Sequence, residues 1–441
     1  NKLPSISLYK STLMDSLKIL VLSATAPKII EQDHDYNGRG WIDSYINLFS
    51  SDSSIKLFVA YHTRYPDKPK QINNVNYYPV RDGLTYNFKP FNIIPRYLGK
   101  KECLKDIDNF MSILNTVQPD IVHLFGSEWC GIRLLKYCKF PIVLHLQGIV
   151  SIYNYSFLPN GTNLWDLYLN SLKVPIKTIK RISFPFLYKN FLYIAKRELE
   201  ILPLLKYAFG RTDWDKESIK LIAPNCKYFY INEILREPFY IAKKWNNPVN
   251  NKITILSTIS DSSYKGLDVI FKTINVLKKL SEQKIEWRIG GISDKSESVK
   301  LYKKLQKHKE CVKFLGILSA QDIIKELQNA TLYLHPSHIE NSANSICEAQ
   351  YIGTPTIATN VGGTSSILSN DAGILVSPND PYEIVSAILK IWNDKDFALK
   401  LSRNEILTAE KRHDKIIIKE QTINAYKTII NEVINHNNQQ K

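Results

Sequence analysis

Residues 335–363 read HPSHIENSANSICEAQYIGTPTIATNVGG. Three changes of pattern here decide the fold. Thr331–Leu334, which leads into the stretch, is an apolar run of strand length. Ser345–Tyr351 has the spacing of a short helix, and Thr356–Ala358, entered through Gly353-Thr354-Pro355, is a strand again. Glu340 falls in the loop and Glu348 in the helix, with seven residues between them. Asn341, Ser342, Ala343, Asn344 and Ser345 are small or polar and lie where the helix begins. Free N–H groups and the positive end of the helix dipole favour an anion at that place. Two carboxylates at this spacing would otherwise be a solvated surface pair. Flanking a phosphate cradle, they suit a ligand with hydroxyls on both sides of a diphosphate.

Working outward, the same grammar repeats. Ile253–Ser257, Ile285–Ile289 and Val312–Leu315 read as strands; Leu267–Leu280 and Ser298–His308 read as helices. Ser319-Ala320-Gln321-Asp322 has the form of a capping box. Such βαβ steps predict a parallel sheet covered on both faces. The N-terminal half is looser but similar, with strands at Lys18–Ser23, Ile55–Tyr61, Ile121–Phe125 and Ile142–Leu146. Trp41–Phe49 reads as a helix entered through Gly38-Arg39-Gly40, and Leu104 to Val117 carries a second helix face. The expected architecture is α/β: two facing Rossmann-like domains, 1–245 and 246–425, with a helix end and polar tail over 426–441. Ile241–Asn251, polar and Asn-rich, suits the hinge. Ligands of such sheets sit beyond the carboxyl ends of strands, which places the site in the cleft.

At 441 residues and 44% hydrophobic content the chain suits two globular domains. No apolar run reaches the ~18 residues of a membrane span. The six cysteines fall singly, without metal-ligand spacing, and read as buried free thiols of a reducing cytoplasm. A net charge of +16 implies an anionic partner without choosing among phosphate, nucleic acid and membrane. Between Ser151 and Leu205 aromatic and basic residues mix, including Tyr155, Trp165, Lys177, Lys180 and Arg181. That mixture suits contact with an anionic membrane, and equally an ordinary core face with solvated lysines.

The quoted stretch resembles the signature of the retaining glycosyltransferases of family 4, which have the GT-B fold. The resemblance rests on Pro336-Ser337, Glu340, Glu348-Ala349, Gly353-Thr354-Pro355 and Gly362-Gly363. It implies that Glu348 accepts hydrogen bonds from the donor's ribose, that Glu340 faces the donor sugar, and that Asn344 and Ser345 meet the diphosphate. Lys265-Gly266 is similar to the family's Lys-Gly step, with the ammonium on the phosphates; the Arg usual a few residues earlier is missing. Gly38-Arg39-Gly40-Trp41 resembles the Gly-rich loop that approaches the donor, so Gly38 and Gly40 join the donor-binding set. Where many relatives carry a His near the reacting carbon, this chain has Phe125, and His145, Glu128 and His123 are the nearest polar substitutes. Arg211, in a stretch resembling a strand-end loop of relatives, is a further candidate.

The resemblance implies transfer from a nucleotide-sugar, with retention, to a glycan or lipid-linked acceptor of surface polysaccharide. It implies no metal or other cofactor. The expected place is the cytoplasm, with association at the inner face of the membrane. Nucleic acid is not an expected partner, because no binding motif accompanies the charge. Two alternatives stay open: a sugar-nucleotide epimerase and a non-catalytic nucleotide-sugar-binding module.

Overall fold

The computed structural model describes residues 16–30, 40–63, 66–81, 104–159, 161–171, 184–248 and 251–439. Two sheets form two layers of the α/β architecture. The first orders its strands β3-β4-β2-β1-β5-β6-β7-β8. These are β1 (Leu17–Ser23), β2 (Ile55–Thr63), β3 (Lys70–Ile72), β4 (Val75–Arg81), β5 (Ile121–Phe125), β6 (Ile142–His145), β7 (Tyr207–Gly210) and β8 (Lys227–Tyr230). Only the β3–β4 edge pair is antiparallel. The second sheet, β11-β10-β9-β12-β13-β14, is parallel throughout. It comprises β9 (Ile253–Thr258), β10 (Ile285–Gly290), β11 (Val312–Gly316), β12 (Leu332–His335), β13 (Thr356–Thr359) and β14 (Ile374–Val376).

The strands read as near-continuous apolar runs because helices cover both faces. All five residues of β5 and all four of β6, β12 and β13 are buried. Of the helices, α1 (Gly40–Ser50), α2 (Leu104–Val117), α3 (Leu164–Ser171), α4 (Phe184–Ile201) and α5 (Asp213–Ile222) belong to the first half. The second half has α6 (Leu267–Leu280), α7 (Ala320–Asn329), α8 (Asn344–Ile352), α9 (Pro381–Asn393) and α10 (Lys395–Arg412). Ser319 caps α7 as its sequence pattern predicts, accepting from Asp322 N while Asp322 accepts from Ser319 N. The helix expected over Ser298–His308 is instead Glu297–Leu301 followed by a 3-10 turn, Lys303–Leu305. Val299 and Tyr302 are its buried apolar residues, and Gln306-Lys307-His308-Lys309 offers nothing to bury.

The chain leaves the first core at Ile231 and enters the second at Leu235. The stretch expected to be a hinge is docked on the second domain where described: Trp245 is buried, donating from N to Ile352 O (2.7 Å) and from Nε1 to Ala330 O (2.8 Å). After α10 the last helix, α11 (Lys415–Gln439), returns to the first core and contributes Ile418, Ala425, Tyr426, Ile429 and Ile430 to it. The expected division at 425/426 therefore falls inside one helix.

The Ser151–Leu205 segment divides its aromatics. Phe157, Leu167 and Phe184 form a buried cluster against Tyr188, Phe191 and Tyr264, whereas Tyr155 and Trp165 are exposed. Lys177, Lys180 and Arg181 lie outside the described residues.

Candidate active site

In each sheet the strand order turns back on itself at one place, between β1 and β5 in the first and between β9 and β12 in the second. Such switch points leave a crevice at the strand ends. Lys265-Gly266 follows β9, and the Pro336–Ala343 loop follows β12, so the quoted stretch and the Lys-Gly step meet there. Gly266 has φ +79°, and a Cβ on it would lie 2.0 Å from Pro336 O. Only glycine lets this loop lie on Pro336. Gly362, at φ +51°, would bring a Cβ within 1.8 Å of Glu340 O, and Gly363 N donates to that same carbonyl at 3.0 Å. The two glycine loops clamp Glu340 between them.

Lys265 Nζ donates to Glu340 Oε1. The same oxygen lies 3.0 Å from His335 Nε2 and accepts from Ser337 Oγ at 2.9 Å. Burial works to raise the Glu340 carboxyl, but Lys265 and His335 outweigh it and hold it well below the usual carboxylate range. Burial likewise works to lower the Lys265 ammonium, which Glu340 holds above its ordinary value. The pair is ionised and largely enclosed, a charge pattern held in place by its neighbours.

Helix α8 starts as the sequence predicts. Its cap position is Ala343, which has no side-chain acceptor, and Asn344 and Ser345 are its first residues. Asn344 Oδ1 is buried without a partner. The residue one turn further in, Glu348, is buried, and Arg236 donates to both its oxygens, from Nε at 2.7 Å and Nη2 at 2.8 Å. Burial raises the Glu348 carboxyl against the opposing pull of Arg236. Arg236 is a basic residue that motif reading missed; it lies on the crossover, 112 positions from its partner.

On the facing domain, Gly38 lies outside the described residues and Gly40 opens α1. Phe125 stacks on His145 with centroids 5.0 Å apart, and His145 lines a cavity with Trp41, Gln147, Arg211, Asn232 and Glu233. Arg211 is buried and donates from Nη2 to Leu146 O at 3.0 Å. Glu128 stands just past β5. Tyr153 and Tyr264, with centroids 6.0 Å apart, both feel the charges of Glu128 and Glu340. The two carboxylates thus reach the same pair of tyrosines from opposite sides of the cleft. Asn341 ties the walls together, accepting from Thr212 Oγ1 at 2.8 Å and donating to Asp215 Oδ2 at 3.0 Å.

Burial pushes the Glu128 carboxyl from 4.5 up to about 7, with Glu198 adding to the shift. The folded protein then holds a proton that the unfolded chain releases, so stability falls as pH rises between 4.5 and about 7. Glu128→Gln is expected to remove that slope. Thermal melts at about pH 4 and about pH 8 check it: the variant gains on the parent at the higher pH, and an equal difference at both would refute the shift.

A second buried group sits where the chain crosses between domains. Glu233 accepts from Ser342 Oγ (2.7 Å), from Cys347 Sγ (2.6 Å) and from Arg412 Nη2 (3.3 Å), while His413 Nδ1 lies 2.8 Å from its backbone oxygen. Glu233, Cys347 and His413 offer metal-ligand atoms within 4.8 Å of one another, as do His62, Asp106 and Cys130. In the first set the Arg412 guanidinium already supplies positive charge, which reads as a self-neutralised link between domains. Among the described residues Cys130, Cys311 and Cys347 are buried free thiols, Cys138 and Cys226 are partly exposed, and Cys103 lies outside them.

Residues 241–408 match the domain family described as glycosyl transferases group 1. The chain is 24% identical over 296 residues to the 2-deoxystreptamine N-acetyl-D-glucosaminyltransferase of Niallia circulans, covering 65% of this chain and 71% of that one. It is 22% identical over 340 residues to the N,N'-diacetylbacillosaminyl-diphospho-undecaprenol alpha-1,3-N-acetylgalactosaminyltransferase of Campylobacter jejuni, covering 75% and 82%. Among solved structures, sucrose-phosphate synthase of Thermosynechococcus elongatus superposes with a TM-score of 0.69 at 14% identity, over 94% of this chain and 100% of that one. Anabaena HepE, solved with UDP, gives 0.61 at 14% identity, over 93% and 100%. These two likenesses bear on the fold alone. Two facing Rossmann-like sheets, the matched domain and the curated relatives agree: the chain is a glycosyltransferase of GT-B architecture carrying a group 1 domain over residues 241–408.

Proposed function

We propose that this glycosyltransferase moves a hexose, with retention of anomeric configuration, from a nucleotide-sugar to a glycan or lipid-linked acceptor in polysaccharide or glycoconjugate synthesis. The observation that carries the reading is the convergence of Lys265, Glu340, the open start of α8 and Glu348 at one switch point. Lys265 and the first N–H groups of α8 would take the charge that develops on the leaving diphosphate. Glu340 would hold the sugar hydroxyls and Glu348 the ribose, with Arg236 keeping that carboxylate in place. The leaving phosphate itself would help to deprotonate the acceptor, and no metal or other cofactor is called for. The two relatives are named as N-acetylhexosamine transferases, one acting on a diphospho-undecaprenol carrier, and HepE was solved with UDP. Those names support a uridine donor as the first to try.

Thermal shift against nucleoside diphosphates and nucleotide-sugars tests the donor. One nucleotide is expected to stabilise the protein, by about 2.7 kcal/mol at a hundredfold excess over Kd. Glu348→Ala is expected to lose that shift. No shift with any nucleotide, in parent and variant alike, would withdraw the enzyme reading.

The acceptor is proposed to be met at an anionic membrane face. No helix among the described residues is long and apolar enough to cross a membrane. Helix α3 instead exposes Leu164, Trp165, Tyr168 and Leu169, with Lys189 beside Tyr168. Trp165→Ser with Leu169→Ser is expected to lower the partition onto anionic vesicles about a hundredfold or more, each buried apolar side chain contributing roughly 1.5–3 kcal/mol, as read by sedimentation. Unchanged sedimentation would remove the membrane from the proposal.

A further inference from the structure

Four side chains from four elements form one buried hydrogen-bonded row: Tyr45 on α1, Tyr426 on α11, His123 on β5 and His145 on β6. The Tyr45 and Tyr426 hydroxyls are 2.5 Å apart, Tyr426 OH meets His123 Nδ1, and His123 Nε2 lies 3.1 Å from His145 Nδ1. Proton accounting gives the row a direction. Among the described residues Tyr45 OH has Tyr426 as its one partner, so its proton goes to the Tyr426 oxygen. The reverse order would strand that proton in the interior, at about 1–3 kcal/mol. Tyr426 must then donate onward to His123 Nδ1. His123 carries its own proton on Nε2 and donates to His145 Nδ1. Burial keeps both rings neutral, lowering His123 to about 3 and His145 well below the ordinary imidazole value. A neutral His145 that accepts at Nδ1 holds its one proton at Nε2. Among the described residues that nitrogen has no hydrogen-bond partner, and His145 lines the cavity with Gln147, Arg211 and Glu233.

We propose that His145 is a fixed hydrogen-bond donor, presenting Nε2–H to an oxygen of the bound nucleotide-sugar rather than serving as a base, and that Tyr426 and His123 are positioning residues that lock this tautomer. The identity of the ligand rests on the donor reading above; the tautomer does not. The arrangement fits a reaction in which the leaving phosphate takes the acceptor's proton, because a histidine already protonated on its unpaired nitrogen cannot.

Nitrogen NMR of the full chain with labelled histidine, free of ligand, reads the tautomer directly, with His145→Gln to assign the resonance. His145 is expected to show a protonated Nε2 and a bare Nδ1. Tyr45→Phe should leave this unchanged, because Tyr426 can still donate to His123. Tyr426→Phe should mix the tautomers and lower kcat about tenfold with little change in donor KM. His145→Gln, which retains an N–H donor, should keep most activity, whereas His145→Leu should lose about 10²-fold. A His145 protonated on Nδ1, or a Gln variant as inactive as the Leu variant, would overturn the proposal. If no nucleotide-sugar binds, the donor reading fails while the NMR result still decides the tautomer.

Discussion

Lys265→Ala is expected to lower kcat about 10²–10³-fold, the range seen when one preorganised donor to a developing charge is removed. Two losses combine in this variant. The leaving diphosphate loses the ammonium nearest the start of α8, and the missing Arg before Lys265 leaves no neighbour in that loop to take over. Glu340 also loses its nearest cation, leaving His335 to oppose burial, so its carboxyl rises from the depressed value. In the parent the depressed carboxyl contributes stability above its ordinary 4.5, and that contribution is lost as pH falls through the lower folded value. In the variant that depression shrinks, and acid should cost it less stability than it costs the parent. Steady-state kinetics with the nucleotide identified by thermal shift, and melts across acid pH, check both parts. A kcat within twofold of the parent would remove Lys265 from the chemistry.

Arg412→Leu is expected to destabilise the protein by about 3–5 kcal/mol, because it leaves Glu233 buried without its ion-pair partner. Burial works to raise Glu233, and Arg412, His413 and Arg211 together hold it well below its ordinary value. Its contribution is present above 4.5 and lost on acidification. Replacing Glu233 by leucine as well should recover part of the loss, since the cost lies in the orphaned charge. Urea denaturation of the parent, the single and the double variant checks this; a double variant no more stable than the single would mean that the side chains hold the crossover by packing instead.

Most of the scaffold was legible because strands buried on both faces leave uninterrupted apolar runs. The quoted stretch was legible for another reason: its glycines and its loop-to-helix step are local geometry. Gly362 and Gly266 are dictated by contacts within a few ångströms, and a reader of residues sees them as motif. What was not legible is pairing over long separation. Nothing near Glu348 in the sequence announces Arg236, and nothing near His123 announces Tyr426, 303 positions away. The Ser298–His308 helix failed because a 3.6-residue period needs more than one buried turn to hold. The hinge expectation followed polarity and missed Trp245, whose indole anchors the stretch.

The return of α11 to the first core has a consequence for how the chain is made. Ile418, Tyr426, Ile429 and Ile430 pack with Ile42, Tyr45 and Phe49, which leave the ribosome several hundred residues earlier. During synthesis the first sheet waits with that apolar side open while the whole second sheet is produced and folds. Order of manufacture and order of completion are therefore opposite: the domain begun first is finished last. A nascent chain halted before Lys415 would carry one closed domain and one open face, a ready substrate for chaperone capture or proteolysis.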